Sequence, residues 1–361
     1  MNIKILKANN GDSFLLSWLY EGITRNVLID GGKSNTYKQG SLKKDLFKVL
    51  TSVKEKGQRI DLLVLTHVDD DHIGGLLKAF KHGELLRELC DKVWFNSGLL
   101  IDEFFNQNHD ETHAVIFDRV ATGTVSDNYT SIRQGVSFEE TIAELGIWHR
   151  EIIKSGQAHE LWGAKFFIIS PSEEKLEALL VKWEKEQPGS LTSRKQTDYK
   201  KTFGELLAND EFRDDGSIHN GSSIAFLLEI EGKRLLMLGD AHDETVVEGI
   251  KMLKDTNGQQ YSESNPLKVN FVKLSHHGSQ YNTSPEFLRL IDAENFIVST
   301  DGSTHGLPDK RTIARIHQQF PTATIHFNYD APRRHMFKRQ ELEQLELAGF
   351  KLKVIENEFE L

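Results

Sequence analysis

The chain has one cysteine, no long apolar run and no surplus of positive charge, and each shortage closes off a class of protein. A lone Cys90 among 361 residues permits no intrachain disulfide, so any metal site must use nitrogen and oxygen donors. Such sparing use of thiols suits a reducing cytoplasm. No apolar stretch approaches the ~18 residues a membrane helix requires, and the start, Met1 to Lys7, is too short and interrupted for a signal peptide. The expectation is a cytoplasmic protein with no membrane partner. Lys and Arg number 44 against 54 Asp and Glu, a net charge of −10. That balance argues against tight nonspecific binding to nucleic acid, which rests on phosphate neutralisation, but it leaves room for a nuclease with a local basic groove. Repeats and low-complexity segments are absent as well.

What is present is an ordinary globular composition, 38% hydrophobic and 27% charged. The length exceeds one average domain, yet layered α/β folds often run this long as one unit. Alternating or continuous apolar runs predict strands over 3–7, 13–18, 25–29, 61–65, 92–95, 165–170, 223–230, 234–238, 269–274, 295–299, 323–328 and 351–356. Helical spacing is expected over 41–56, 74–80, 102–119, 137–153, 172–186, 243–254 and 309–319. Two strand-rich halves, each flanked by helices, predict an α/β, four-layered αββα sandwich forming a single domain over 1–361. Residues 99–160 are polar and weakly periodic and read as an insertion or lid. Residues 187–221 read as irregular and locally basic (Arg194, Lys195, Lys200, Lys201).

The densest chemistry follows the apolar run Leu62-Leu63-Val64-Leu65, where the chain reads Thr66-His67-Val68-Asp69-Asp70-Asp71-His72-Ile73-Gly74-Gly75. Five potential metal ligands occupy six positions. Ionised carboxylates at the end of a buried strand are costly unless something positive pairs with them, and for this donor density the simplest partner is one divalent cation, or two. The bland alternative is an acidic, solvated loop leading into a helix. Three further strand ends carry polar residues that packing does not require: Asp30-Gly31-Gly32, Gly239-Asp240 and His276-His277-Gly278-Ser279. Each lies just past a buried apolar run, where layered α/β folds build their sites. Singly, each is compatible with a turn or surface loop; their conjunction in this order is the signal.

That order resembles the metallo-β-lactamase-fold hydrolases, and within them the hydrolase domain of the competence protein ComEC and its free-standing relatives. Gly11-Asp12-Ser13-Phe14, Asn220-x-x-Ser223 and His305-x-x-Pro308 extend the resemblance, which covers the chain except the stretches near 99–160 and 187–215. The commoner pattern has histidine where this chain has Asp69. The change makes the first metal position harder and richer in oxygen, weakening the case for zinc and raising manganese. The resemblance implies two divalent metal ions, Zn or Mn. His67 and Asp69 would hold the first, Asp71, His72 and His277 the second, and Asp240 would bridge them. His276 would face the substrate phosphate as acid or electrostatic clamp, although which of the two adjacent histidines is the ligand stays open. His219, beside Asn220, is the positional candidate for a further ligand, and Asp30 would orient the cluster through hydrogen bonds. Asp71, or the bridging hydroxide, would serve as base, while Asp70 would point to solvent.

The implied activity is a two-metal phosphodiesterase or nuclease acting on DNA or another nucleic acid. A small-molecule phosphodiesterase or esterase is the alternative, with residues 99–160 shaping a closed pocket. A third is a non-catalytic component of a multi-protein system, such as a defence system, docking through the same segment. Trp94 and Trp162 read as core. Arg333-Arg334-His335 and Lys338-Arg339 read as a solvated basic face or a phosphate-backbone contact. His109, His113, His149 and His159 fall in the presumed insertion, His109 and His113 spaced to share a groove-facing side.

Overall fold

The computed structural model describes residues 1–108, 131–185, 197–208, 210–355 and 358–360. Two sheets dominate it. The first has six strands in the spatial order Glu358–Glu360, Asn2–Ile5, Phe14–Tyr20, Ile23–Ile29, Leu62–Val64 and Val93–Trp94. The second has eight: Lys351–Val354, Thr324–Phe327, Asn295–Val298, Phe271–Lys273, Lys233–Met237, Ala225–Ile230, Ala164–Ser170 and Ala158–Leu161.

Side-chain alternation explains the layering. Leu16, Val27, Ile29, Leu62 and Val64 face inward and meet Phe166, Ile168, Phe226, Leu228 and Met237 of the second sheet. Their neighbours Leu15, Leu28 and Leu63 point the other way, under helices Asp45–Glu55 and Asp70–Ala79. Leu227, Leu236, Val272 and Phe296 likewise pack beneath helices Asp243–Met252 and Lys310–Gln319. Successive residues of a strand point to opposite faces, so both sheets are apolar on both sides and need a helical layer outside. The expected αββα sandwich is the fold. Trp94 sits in the inner core edge-on to Phe166, and Trp162 packs against Trp18. Among the described residues no helix is long and apolar enough to cross a membrane.

Three local expectations need correction. The helix after the His-Asp cluster begins at Asp70 rather than Gly74, and Asp70 and Asp71 in its first turn complement the helix dipole. In place of a helix over 137–153, one spans Ser131–Glu144; Gly146, at φ +68°, ends it, and Trp148 then pairs with Val93. The stretch expected to be irregular holds a helix at Phe203–Leu207, opened by a capping box between Thr202 and Glu205. Asp198 accepts from the backbone amides of Lys310 and Arg311 at 2.9 and 2.8 Å and so ties this stretch to the outer helix layer. His109, His113, Arg194 and Lys195 lie outside the described residues.

The described part of 99–160 does more than cover a site. Phe138 and Ile142, one helical turn apart, are fully buried, and the Phe138 ring meets Phe80 and Phe95 edge-on at 5.6 and 5.4 Å. Phe138→Ala is therefore expected to lower unfolding stability by about 3–5 kcal/mol, the range for large-to-small changes in a core. The urea midpoint at unchanged slope measures it; a loss below about 1 kcal/mol would show that helix Ser131–Glu144 is a detachable cover.

Candidate metal centre

Parallel strands from both sheets end at one place. Asp30 follows Ile23–Ile29, His67 follows Leu62–Val64, Asp240 follows Lys233–Met237, and His276 and His277 follow Phe271–Lys273. Asp69 is the N-cap residue of helix Asp70–Ala79, whose first turn carries Asp71 and His72. The Gly-Gly pair ending the motif exists for close approach: a Cβ on Gly75 would lie 2.0 Å from the Gly31 carbonyl oxygen. A Cβ on Gly11 would similarly strike the Asp71 carbonyl, which accepts from the Asp12 amide. Asp30, His276 and His277 all have positive φ, at 55°, 45° and 54°. Left-handed backbone at non-glycine residues is strained and concentrates at functional sites.

Each inner histidine is fixed by one ring nitrogen and leaves the other without a partner. Nδ1 of His72 lies 2.7 Å from Asp30 Oδ2, and Nδ1 of His277 lies 2.8 Å from the Ser299 carbonyl. Nδ1 of His67 is 3.0 Å from Ser223 Oγ and 3.1 Å from Thr66 Oγ1. Asp30 is itself held, accepting from the Thr66 amide and hydroxyl at 2.8 Å each. The Nε2 atoms of His67, His72 and His277, together with Oδ1 of Asp240, are buried and have no hydrogen bond. They converge: from Asp240 Oδ2, Nε2 of His72 is 3.4 Å away, that of His277 3.6 Å and that of His67 4.0 Å. Asp71 Oδ2 is 3.7 Å from His277 Nε2 and accepts from Asn10 Nδ2 at 2.6 Å. Buried polar atoms normally find partners. A ring of unpartnered nitrogens around carboxylates, with every opposite nitrogen latched, fits divalent metal ions.

The electrostatics point the same way. Burial opposes the charged form of His277, but Asp240 and Asp12 outweigh it and raise its pKa to about 10. His72, despite its burial, is raised well above the usual range by Asp240 and Asp30. Asp240 is held well below the carboxylate range even though burial works against it, because His277 and His72 face it. His67 goes the other way, its pKa lowered to about 4 by burial and by the neighbouring His72. Negative groups outnumber positive ones, and without a metal the imidazoles take up protons to compensate.

The remaining expected residues divide. Asp69 approaches His67 Nε2 with one oxygen at 3.8 Å and reaches Nδ1 of His219 with the other at 2.6 Å, leaving His219 Nε2 buried without a partner. His276 lies on the solvent side of the cluster. Its Nδ1 is 3.2 Å from Asp215 Oδ2, Asn220 Nδ2 and Asn282 Oδ1, and its Nε2 is 4.0 Å from Asp240 Oδ2. Asn220 thus orients His276 and Asp215, which it reaches at 2.7 Å. His305 is exposed on a turn and enters none of the convergent groups, nor do His149 and His159, which pack beside Trp94. Asp70 is exposed, as expected, and accepts from Gln134. Sequence reasoning missed Asp12, Lys273 and Asp215 as members of the site. The first two carried a signal, an acid in the Gly11-Asp12 motif and a lysine inside an apolar strand; Asp215, in an aperiodic stretch, carried none.

A family model for the metallo-beta-lactamase superfamily matches residues 11–302. No curated protein matches the sequence. Among solved structures, zinc-bound PqqB from Methylobacterium extorquens aligns over 100% of both chains at 13% identity, with a TM-score of 0.42. A diphosphatase of the PhnP family aligns over 100% of this chain and 97% of its own at 12% identity and a TM-score of 0.35. A metallo-β-lactamase from Cronobacter sakazakii aligns over 64% of this chain and 58% of its own, at 13% identity and a TM-score of 0.27. Likenesses this distant carry nothing about activity.

Metal ligands must be unprotonated, so metal uptake by the stripped protein at pH 7.5 displaces protons from His72 and His277. Mn²⁺ affinity is expected to rise between pH 7 and 9, by about tenfold per unit for each proton displaced. Calorimetry in two buffers of different ionisation heat checks this; a heat independent of buffer would show that the histidines are neutral before binding.

Proposed function

The chain belongs to the metallo-β-lactamase superfamily, and from that footing we propose that it is a two-metal phosphodiesterase of the ComEC-like branch, acting on DNA or another nucleic acid. The observation that carries this reading is the convergence of unpartnered His67, His72 and His277 nitrogens on Asp240. His67, Asp69 and His219 would hold one cation, Asp71, His72 and His277 the other, with Asp240 shared. Bound divalent cations supply Lewis-acid polarisation of a phosphoryl oxygen and a water acidic enough to attack near neutral pH. The oxygen-rich first position, with Asp69 in place of histidine, favours Mn²⁺ over Zn²⁺.

The chain's own residues divide the remaining work. His276 is 27% exposed, whereas the side chains of His67 and His72 are 0% and His277 4% exposed. Among these histidines, that accessibility supports His276 as the one that meets substrate. Asp215 fixes its ring through Nδ1, and Asp240 together with Asp215 favours the imidazolium against burial, so Nε2 would donate to a phosphoryl or leaving-group oxygen. Asp71, which accepts from Asn10, would serve as the base unless the bridging hydroxide itself does.

A polyanionic substrate is supported by charge on the adjoining surface. Residues 33–56 contain seven lysines against Asp45 and Glu55, in a chain whose net charge is −10. Helix Ser34–Tyr37 packs on helix Asp70–Ala79, and the Lys33–Ser34 backbone lies against Gly74, one turn from Asp71. Lys33, Lys43 and Lys44 have no acidic ion-pair partner among the described residues, while Lys38, Lys48 and Lys54 do. The basic face at 333–339 is partly spent, since Arg333 and Arg334 both pair with Asp330.

Purified protein with Mn²⁺ or Zn²⁺ is expected to cleave labelled single- or double-stranded DNA or RNA as well as bis-p-nitrophenyl phosphate. Cleavage of the small ester alone would replace the nuclease reading with a small-molecule phosphodiesterase. No turnover together with no bound metal by elemental analysis would leave an assembly role. Asp71→Ala and Asp240→Ala should abolish turnover and lower metal content. His276→Ala should keep the metal while kcat falls by about 10²–10³; unchanged turnover in any of the three would refute the assignment.

A further inference from the structure

A lysine ammonium beside a cation site is a contradiction unless its charge is cancelled. The Lys273 side chain is 1% exposed and lies 3.7 Å from Asp240 Oδ1, at the base of the cluster. It is ion-paired to Asp12, which is equally buried, and donates to the Gly239 carbonyl at 2.7 Å. Gly239 has a positive φ of 52° and is the residue that turns the chain to present Asp240. Asp12 comes from the other half of the molecule. Its amide donates to the Asp71 carbonyl at 3.2 Å, and its Oδ1 lies 3.4 Å from His277 Nδ1. The pair therefore touches the backbone of one carboxylate, the turn that aims another, and a histidine.

We propose that Asp12 and Lys273 form a neutral positioning pair that sets the charge the metal site presents. Asp12 cancels the Lys273 ammonium so that it does not repel the cations. With the pair neutral and Asp215 answered by the His276 ring, Asp30, Asp69, Asp71 and Asp240 are the four carboxylates left to face two divalent ions. This inference rests on the two-metal reading and assigns neither residue to contact with substrate. Buried ion pairs are costly to form, and breaking one from a single side leaves an uncompensated charge. Here the structure puts that uncompensated charge beside the metal.

The test compares Mn²⁺ binding by calorimetry in metal-stripped wild type, Asp12→Asn and the double variant Asp12→Asn/Lys273→Met, with thermal unfolding in EDTA as the measure of fold. Asp12→Asn keeps a side chain of the same shape but frees the lysine charge, and Mn²⁺ affinity should fall at least tenfold. The double variant restores neutrality, and its affinity should return to within threefold of wild type. A purely structural pair would instead lower the unfolding temperature in both variants and leave affinity unchanged. Unchanged affinity in Asp12→Asn, or no recovery in the double variant, overturns the proposal. Should Asp12→Asn fail to fold, Lys273→Met decides: it leaves the Asp12 carboxylate uncancelled, so Mn²⁺ affinity should rise at least tenfold, and an unchanged affinity overturns the proposal. Wild-type stoichiometry is read separately: fewer than two equivalents would refute the two-metal reading, while the ratio of affinities would still judge the pair.

Discussion

The metal centre rests on one constraint, an excess of buried negative charge where the two sheets end. Asp12, Asp30 and Asp240 are each almost wholly buried, and desolvating a carboxylate costs several kcal/mol unless a positive group answers it. One lysine and the protonated histidines answer part of it; a divalent cation answers it more completely, and without a titration. The glycines at 11 and 75, the left-handed backbones at 30, 276 and 277, and the latched imidazoles all bring those charges closer together than unaided packing would. Such strain persists only where the surroundings over-determine it.

The latches show how the site depends on sheet docking. His67 belongs to the first sheet, yet Ser223, leading into the second, holds its Nδ1. The Ser223 hydroxyl also accepts from the Asp240 amide, so one side chain of the second half positions a residue from each half. Ser299, at the end of Asn295–Val298, carries His277 on its carbonyl and donates from its hydroxyl to the Gly11 carbonyl. No half could form this cluster alone. Binding energy gained by a metal here is consequently also energy holding the two sheets together.

Periodicity made the fold legible and left the partners hidden. Strands such as Leu62–Val64 announced themselves by apolar alternation or continuity, and the order of polar strand ends announced the site. The alternation says which face a residue occupies; it does not say that Asp12 will meet a lysine 261 positions away. Polar composition misled over 131–144, because a helix with one buried face needs only Phe138 and Ile142 at helical spacing to enter a core. His305 stands in a motif of the right type, on an exposed turn. Helix boundaries escaped for local reasons, since Asp70 acts through its charge on the helix dipole and Gly146 through its backbone angle, neither of which a hydrophobic pattern encodes.

Asp69 is where sequence and structure explain each other most closely. In the commoner pattern a neutral imidazole stands at this position, and an aspartate adds one more negative charge to a crowded site. The structure divides that charge. One carboxylate oxygen turns toward His67 at 3.8 Å, and the other binds His219 Nδ1 at 2.6 Å, leaving His219 Nε2 unpartnered and buried. A carboxylate on one ring nitrogen of a histidine raises the basicity of the other. An aspartate at this position therefore brings an imidazole from the second half of the chain, His219, to the edge of the cluster with its Nε2 left without a hydrogen bond. On the two-metal reading proposed above, Asp69 is one of the carboxylates that the neutral pairing of Asp12 with Lys273 would leave to face the cations.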